Sequence, residues 1–564
     1  MHIFIVEPDL GLPETTLAQL RSLAEALPFE EAMVNVALLG TWLEPVLESP
    51  EGQWKLAQRF YEAQPDLLAR YAEFKKKFPT RLIFSWQPIA LLMRVLIDHG
   101  KEEPLRELSE VEAAILRQAV LGAHSAFESK VEALPEPSTE NVLAYEVQAA
   151  SFFHRPVPLE TMVRHRELLR LAVTDERLQS SVNRVPVDEW LAAAGMTGEE
   201  QWKIGFALSA LTSAFGESIE PSLPATTVDD ALGELGLGEH SRELHVIAAS
   251  REKLRAEFAG FGGGDAVLAW EFRPFKRTPF LRLANGDLLL LGLPWLLSWL
   301  GEGFYYRPMA YGQQSQSAGT TQKFTSYMGE VVERYALDLA EAAIVPPARV
   351  LGEQAYHDGG ERLTSDVMVV WGADLILFEI HARRVAATAA ITGSPAQATV
   401  EISKLLVKKV NQVGQCIAAL LDGTARLPQT DIANVERIWP VVVAVGDAMQ
   451  SRTLWKYVRA TMDSAKTASF SNEKVQPLQF LGIEDYERLL GLIEAGQDLP
   501  EMLARKTQGA YRELDFAAWL AGDPGAPSNE VRLSILSTRW DQMGDEVQQA
   551  AKPPKDFSGE RPER

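Results

Sequence analysis

Residues 365–381 read SDVMVVWGADLILFEIH, and this stretch decides the fold. Two runs of Val, Ile and Leu flank the turn Gly372-Ala373-Asp374, the pattern of an antiparallel hairpin. Side chains alternate across a strand, so Glu379 and His381 share one face with Leu375 and Leu377. On the preceding strand Asp366 shares a face with Met368 and Val370. A charge inside LILFEI is unusual, because burying an unpaired carboxylate costs several kcal/mol. Glu379 must therefore be exposed, paired or bound to a cation. Two carboxylates on adjacent strands could converge on a hard cation such as Mg²⁺. The blander alternative stays open: Asp366 as a turn residue, and Glu379 on a solvated face.

Working outward, residues 324–343, FTSYMGEVVERYALDLAEAA, read as a helix that Pro346-Pro347 stops. Val350 to Tyr356 reads as a strand and His357 to Thr364 as a polar loop. After the hairpin, Glu401 to Leu421 reads as a long helix. At about 100° per residue, Lys404, Lys408, Asn411, Gln412 and Gln415 fall on one stripe. Val407, Val410, Val413, Ile417, Leu420 and Leu421 take much of the other side. Between residues 380 and 421, five basic side chains (Arg383, Arg384, Lys404, Lys408 and Lys409) face one acid, Glu401. A basic patch beside paired carboxylates suits a phosphodiester substrate. An ordinary amphipathic helix with a solvated charged face is the alternative.

This order resembles the PD-(D/E)XK nuclease superfamily: helix with glutamate, strand with aspartate, strand with Glu-x-x, helix with Lys and Gln. The residues that carry the resemblance are Glu333 in GEVVERY, Asp366 in SDV, Glu379 in LFEIHAR, and Lys408 to Gln415. It covers about 100 residues. It implies an α/β fold, a mixed-sheet nuclease-like core with flanking helices, and Mg²⁺- or Mn²⁺-dependent phosphodiester hydrolysis. It further implies that Asp366 and Glu379 bind the metal. Glu333 would orient water or complete the site, with Glu330 the less favoured substitute. Gln412 or Gln415 would contact substrate or support the site. The departure is at His381, where the family usually has lysine. A histidine there could carry a proton or ligate the metal. Arg383, Lys404 or Lys408 could supply the missing cation and bind substrate.

The core, residues 323–450, is preceded by a large mainly α-helical region, 1–258, expected to regulate it or to bind a protein partner. A Gly-rich linker (259–265) and a hairpin segment (266–322) join the two, with Asn285-Gly286 as the turn signal. A helical region (451–550) and a disordered tail (551–564) complete the division. The chain has 564 residues and 46% hydrophobic side chains, enough for true cores. Its net charge of −22 excludes a wholly basic nucleic-acid coat protein. The one cysteine, Cys416, excludes an intramolecular disulfide, reads as a core thiol, and is compatible with the expected cytoplasmic location. The most apolar run, Leu288 to Leu300, holds 13 residues, short of the ~20 that span a bilayer. No P-loop, GxSxG or HExxH pattern occurs. The expected partner is nucleic acid, DNA before RNA, with homodimerisation open. Defence against foreign nucleic acid or DNA repair would suit a nuclease carrying so large an accessory region. The competing readings are a nuclease-like binding or scaffold module without catalysis, and a helical interaction protein with incidental hairpin acids.

Overall fold

The computed structural model describes residues 5–47, 49–132, 138, 140–144, 158–217, 228, 232, 244–245, 248–260, 271–315, 319–358, 360–382, 394–445, 452–528 and 531–550. Arg383, most of the Gly-rich segment and the 551–564 tail lie outside them. The chain forms two compact units, each drawn from separate stretches rather than from the contiguous division read above. The first takes Met1–Leu134, Leu191–Arg307 and Gln542–Arg564; the second takes Pro135–Trp190 and Pro308–Asp541.

Helices dominate the first unit. Thr16 and Gln19 form a capping box that starts Leu17–Glu25, which buries Leu17, Leu20 and Ala24. This helix packs on Trp86–His99 and Glu110–Glu132. Trp86–His99 is buried on nearly every side, as its apolar sequence requires. Arg251 closes its C-terminal end, donating from Nε to the Ile97 carbonyl at 2.9 Å. The expected hairpin is present as β1 (Phe280–Arg282) and β2 (Leu288–Leu290), with Gly286 at φ +96° in the turn. The apolar run 288–300 passes from β2 into the helix Leu293–Ser315. Among the described residues no helix is long and apolar enough to cross a membrane.

The second unit is mixed α/β. The expected helix runs Thr320–Ala343. Next come β3 (Arg349–Gly352), β4 (Ala355–His357), β5 (Glu361–Leu363), β6 (Val367–Trp371) and β7 (Asp374–His381). A helical stretch of Pro395–Ile402, a π-helical turn Ser403–Val407 and Lys408–Leu421 leads to β8 (Arg437–Ala444). After Arg452–Thr461 come β9 (Gln479–Gly482) and the helix Ile483–Glu494. One sheet has five strands in the order β3-β6-β7-β8-β9. β3, β6 and β7 are antiparallel neighbours, while β7, β8 and β9 run parallel. Parallel pairing of β7 with β8 needs a crossover, and the segment containing Lys408–Leu421 supplies it.

β6 and β7 are apolar on both faces because helices cover both. Met368, Val370, Leu375 and Leu377 share a core cluster with Val410, Val413 and Ile417 of the crossover helix. On the other face Thr320–Ala343 packs on the sheet, and Phe378 meets Tyr486 edge-on at 5.2 Å. There Arg164, on Pro158–Thr174, grips both oxygens of Glu487 at 2.7 Å, and the Tyr335 hydroxyl donates to Glu487 at 2.8 Å.

Three local expectations change. The strand expected over Val350 to Tyr356 divides into β3 and β4, and the polar loop contains β5, so a second small hairpin is inserted before β6. Asp374, expected in a turn, opens β7 and is buried against Arg437 at 2.6 Å and Trp439 at 2.8 Å. The expected C-terminal helical region donates β9 to the main sheet.

Candidate functional site

The hairpin register builds the site. Val367 pairs with Phe378, which sets Asp366, one residue earlier, across from Glu379. The Ile380 N–H donates to Asp366 Oδ2 at 2.6 Å, fixing that carboxylate at the strand entry. Lys409, in the first turn of Lys408–Leu421, reaches both acids. Its Nζ stands 2.7 Å from Glu379 Oε1 and 3.9 Å from Asp366 Oδ2. The three side chains are only 12%, 7% and 10% exposed (Lys409, Glu379 and Asp366).

They lie in a cavity of about 500 Å³ that Glu333, Glu353, Gln412, Gln415 and Cys416 also line. The β4–β5 hairpin supplies a further wall through Tyr356, Glu361, Arg362 and Leu363. Ser365, next to Asp366, is fully buried, with Oγ 3.9 Å from the Cys416 thiol.

Too many carboxylates share too little positive charge. Burial and the neighbouring Asp366 push Glu333 up to about 8, and the same two causes push Glu379 up to about 8 against the pull of Lys409. Burial likewise raises Asp366, opposed by Lys409 and the Ile380 N–H. Glu353 is raised by burial and by Asp366. Burial disfavours the Lys409 ammonium, but Asp366 and Glu379 outweigh it, so Lys409 stays charged well above neutral pH. Burial pushes the Cys416 thiol up to about 12, as a core thiol requires.

The sequence candidates divide. Asp366, Glu379, Glu333, Gln412 and Gln415 all line the cavity. His381 ends β7 half-buried and does not line it. Strand alternation puts it on the Glu379 face, but the cavity closes before reaching it. Lys408 is exposed and outside the lining, and Lys404 is held 3.0 Å from Glu401. Glu330 is engaged by Asn183 at 2.7 Å. The cation that meets the two acids is Lys409, which sequence reasoning had only counted. A signal existed: Lys409 lies one turn before Val413, two before Cys416 and three before Leu420, so it belongs to the buried side. Glu353 and Arg362 had no such signal, since both depend on the inserted hairpin.

An all-oxygen donor set of buried, under-neutralised carboxylates fits a hard divalent ion. Among the described residues, however, no three His, Cys, Asp or Glu side chains are already grouped around one ion position. Lys409 explains part of this, since its ammonium occupies the gap between Asp366 and Glu379.

Comparisons with family models, curated proteins and solved structures give no match to this chain.

Proposed function

We propose that this chain is a metal-dependent nuclease that hydrolyses phosphodiester bonds of nucleic acid, DNA before RNA. The observation that carries the reading is the meeting of Asp366, Glu379 and Lys409 in one cavity. The resemblance read from the sequence leaves a lysine unaccounted for at His381. Lys409 meets that need from the crossover helix. The helix, antiparallel strands, helix and parallel strand in chain order also agree with a mixed-sheet nuclease-like core.

Asp366 and Glu379 would hold Mg²⁺ or Mn²⁺, with Glu333 completing the donor set. Bound there, the ion supplies a Lewis acid for the phosphoryl group. The chain's own groups do the rest. The Lys409 ammonium donates hydrogen bonds to the phosphate oxygens as negative charge builds on them. Glu333, which burial and Asp366 push up in the metal-free chain, would give up its proton on joining the donor set and orient the attacking water. Gln412 and Gln415 offer amides along the cavity wall to orient the substrate.

The test is cleavage of labelled single- and double-stranded DNA and RNA with Mg²⁺, Mn²⁺ or EDTA. Metal-dependent cutting is expected, lost in Asp366→Ala, Glu379→Ala and Lys409→Met. Cutting that survives all three substitutions sinks the reading. A second reading, a nuclease-like binding module without catalysis, is favoured by the Lys409 ammonium standing where a cation would go. It predicts no cutting, and no heat of Mn²⁺ binding that depends on Asp366 and Glu379.

A further inference from the structure

We propose that the inserted β4–β5 hairpin is the substrate clamp of this site and that Arg362 binds a backbone phosphate next to the scissile one. The inference rests on the nuclease reading for the identity of the ligand and adds the element that grips it.

The hairpin is a separate two-stranded sheet, not a part of the five-stranded one. It is nevertheless tied to the site at its base. The Thr364 N–H donates to the Gln354 carbonyl at 3.0 Å, and the Gln354 N–H donates to Thr364 Oγ1 at 2.8 Å. Thr364 is two residues from Asp366, so the hairpin's direction is coupled to the carboxylate's. Tyr356 and Arg362 are direct cross-strand partners. Tyr356 is buried in the core cluster beside the crossover helix, which turns the pair toward the cavity.

Charge then singles out Arg362. Among the described lining residues, Glu333, Glu353, Glu361, Asp366 and Glu379 face two cations, Lys409 and Arg362. A phosphodiester entering these walls is repelled unless cations meet it. Lys409 stands between Glu379 and Asp366 and serves the scissile phosphate, which leaves the neighbouring one to Arg362. Arg362 makes a long pair, Nε to Asp358 Oδ2 at 3.6 Å, between side chains 39% and 55% exposed. Such a screened pair is weak. Exchanging Asp358 for a phosphate therefore costs little and gains two parallel guanidinium hydrogen bonds. The ligand class is the phosphate backbone, so the contact fixes position without reading bases.

The test uses the full chain carrying Glu379→Gln, with Mg²⁺ present, and labelled single- and double-stranded DNA and RNA oligonucleotides as probes. Fluorescence anisotropy is followed over a salt series. Adding Arg362→Met should weaken the best-bound probe about tenfold. It should lower the slope of log affinity against log salt by about 0.7–0.9, the share of one phosphate contact. Arg362→Lys should recover part of the affinity. Asp358→Asn, at an exposed position, should tighten binding by releasing the guanidinium. Unchanged affinity and slope in Arg362→Met overturn the proposal, as does a parent chain that binds none of the probes at low salt. Should Arg362→Met misfold by circular dichroism, Asp358→Asn decides alone, and unchanged or weaker binding overturns the clamp. The nuclease reading fails separately, by cutting that persists in Glu379→Gln; binding is then read in EDTA and still decides on Arg362.

Discussion

Glu379→Gln should make the metal-free protein more stable and inactive at once. The substitution keeps the shape and leaves an amide oxygen to accept from Lys409, but removes the charge. In the native chain burial and Asp366 push Glu379 up to about 8, against an ordinary value of 4.5. The folded state therefore holds a proton that the unfolded state releases between those two values. A raised pKa contributes stability that is complete below the unfolded value and is lost as pH rises through the folded one. Taken alone, this shift makes the chain about 3 kcal/mol less stable at pH 8 than at pH 5. Glutamine carries no such slope. At about 2 °C per kcal/mol for a unit of this size, the variant should unfold roughly 6 °C higher than wild type at pH 8, and nearly level with it at pH 5. The assay is differential scanning calorimetry of both proteins across this pH range in EDTA. Added Mg²⁺ should flatten the wild-type profile and leave the variant's unchanged. A variant that melts in parallel with wild type, or below it at pH 8, refutes the argument that Glu379 is a buried and under-neutralised carboxylate.

Other expectations can be checked independently. Arg164→Met strands the Glu487 carboxylate among buried groups and should cost about 3–5 kcal/mol, read as a lower urea midpoint for the transition that includes the sheet. A loss under about 1 kcal/mol would mean the pair is not desolvated as described. His381→Ala should cut within about threefold of wild type, since His381 does not line the cavity. A loss of about hundredfold would return that strand position to the reaction. Cys416, buried and pushed up to about 12, should resist thiol reagents in the native chain and react once it is unfolded by denaturant. Rapid labelling of the native protein would contradict its burial.

The second unit's elements were legible where the signal is local. Two apolar runs around Gly372, which has φ +60°, could only be a hairpin, and its register alone sets Asp366 across from Glu379. The helix read over residues 324–343 is likewise present, as Thr320–Ala343. Those two acids were visible because a charge in an apolar strand demands a partner.

Which partner answers that demand was a tertiary decision. Lys404, Lys408 and Lys409 are one residue type on one helical segment; periodicity sets Lys409 apart from the polar stripe but does not say what it would face. The π-helical turn Ser403–Val407 breaks the uniform rotation only between Lys404 and the residues that follow it. Packing of Val413, Cys416 and Leu420 into the core then turns Lys409 inward and leaves Lys408 in solvent. Parallel pairing of β7, β8 and β9, and the inserted β4–β5 wall with Arg362, also join residues far apart in the chain. Local patterns determine which face of an element is apolar. Only the assembled core determines what stands opposite that face, because burial energy belongs to the contact and not to either segment alone.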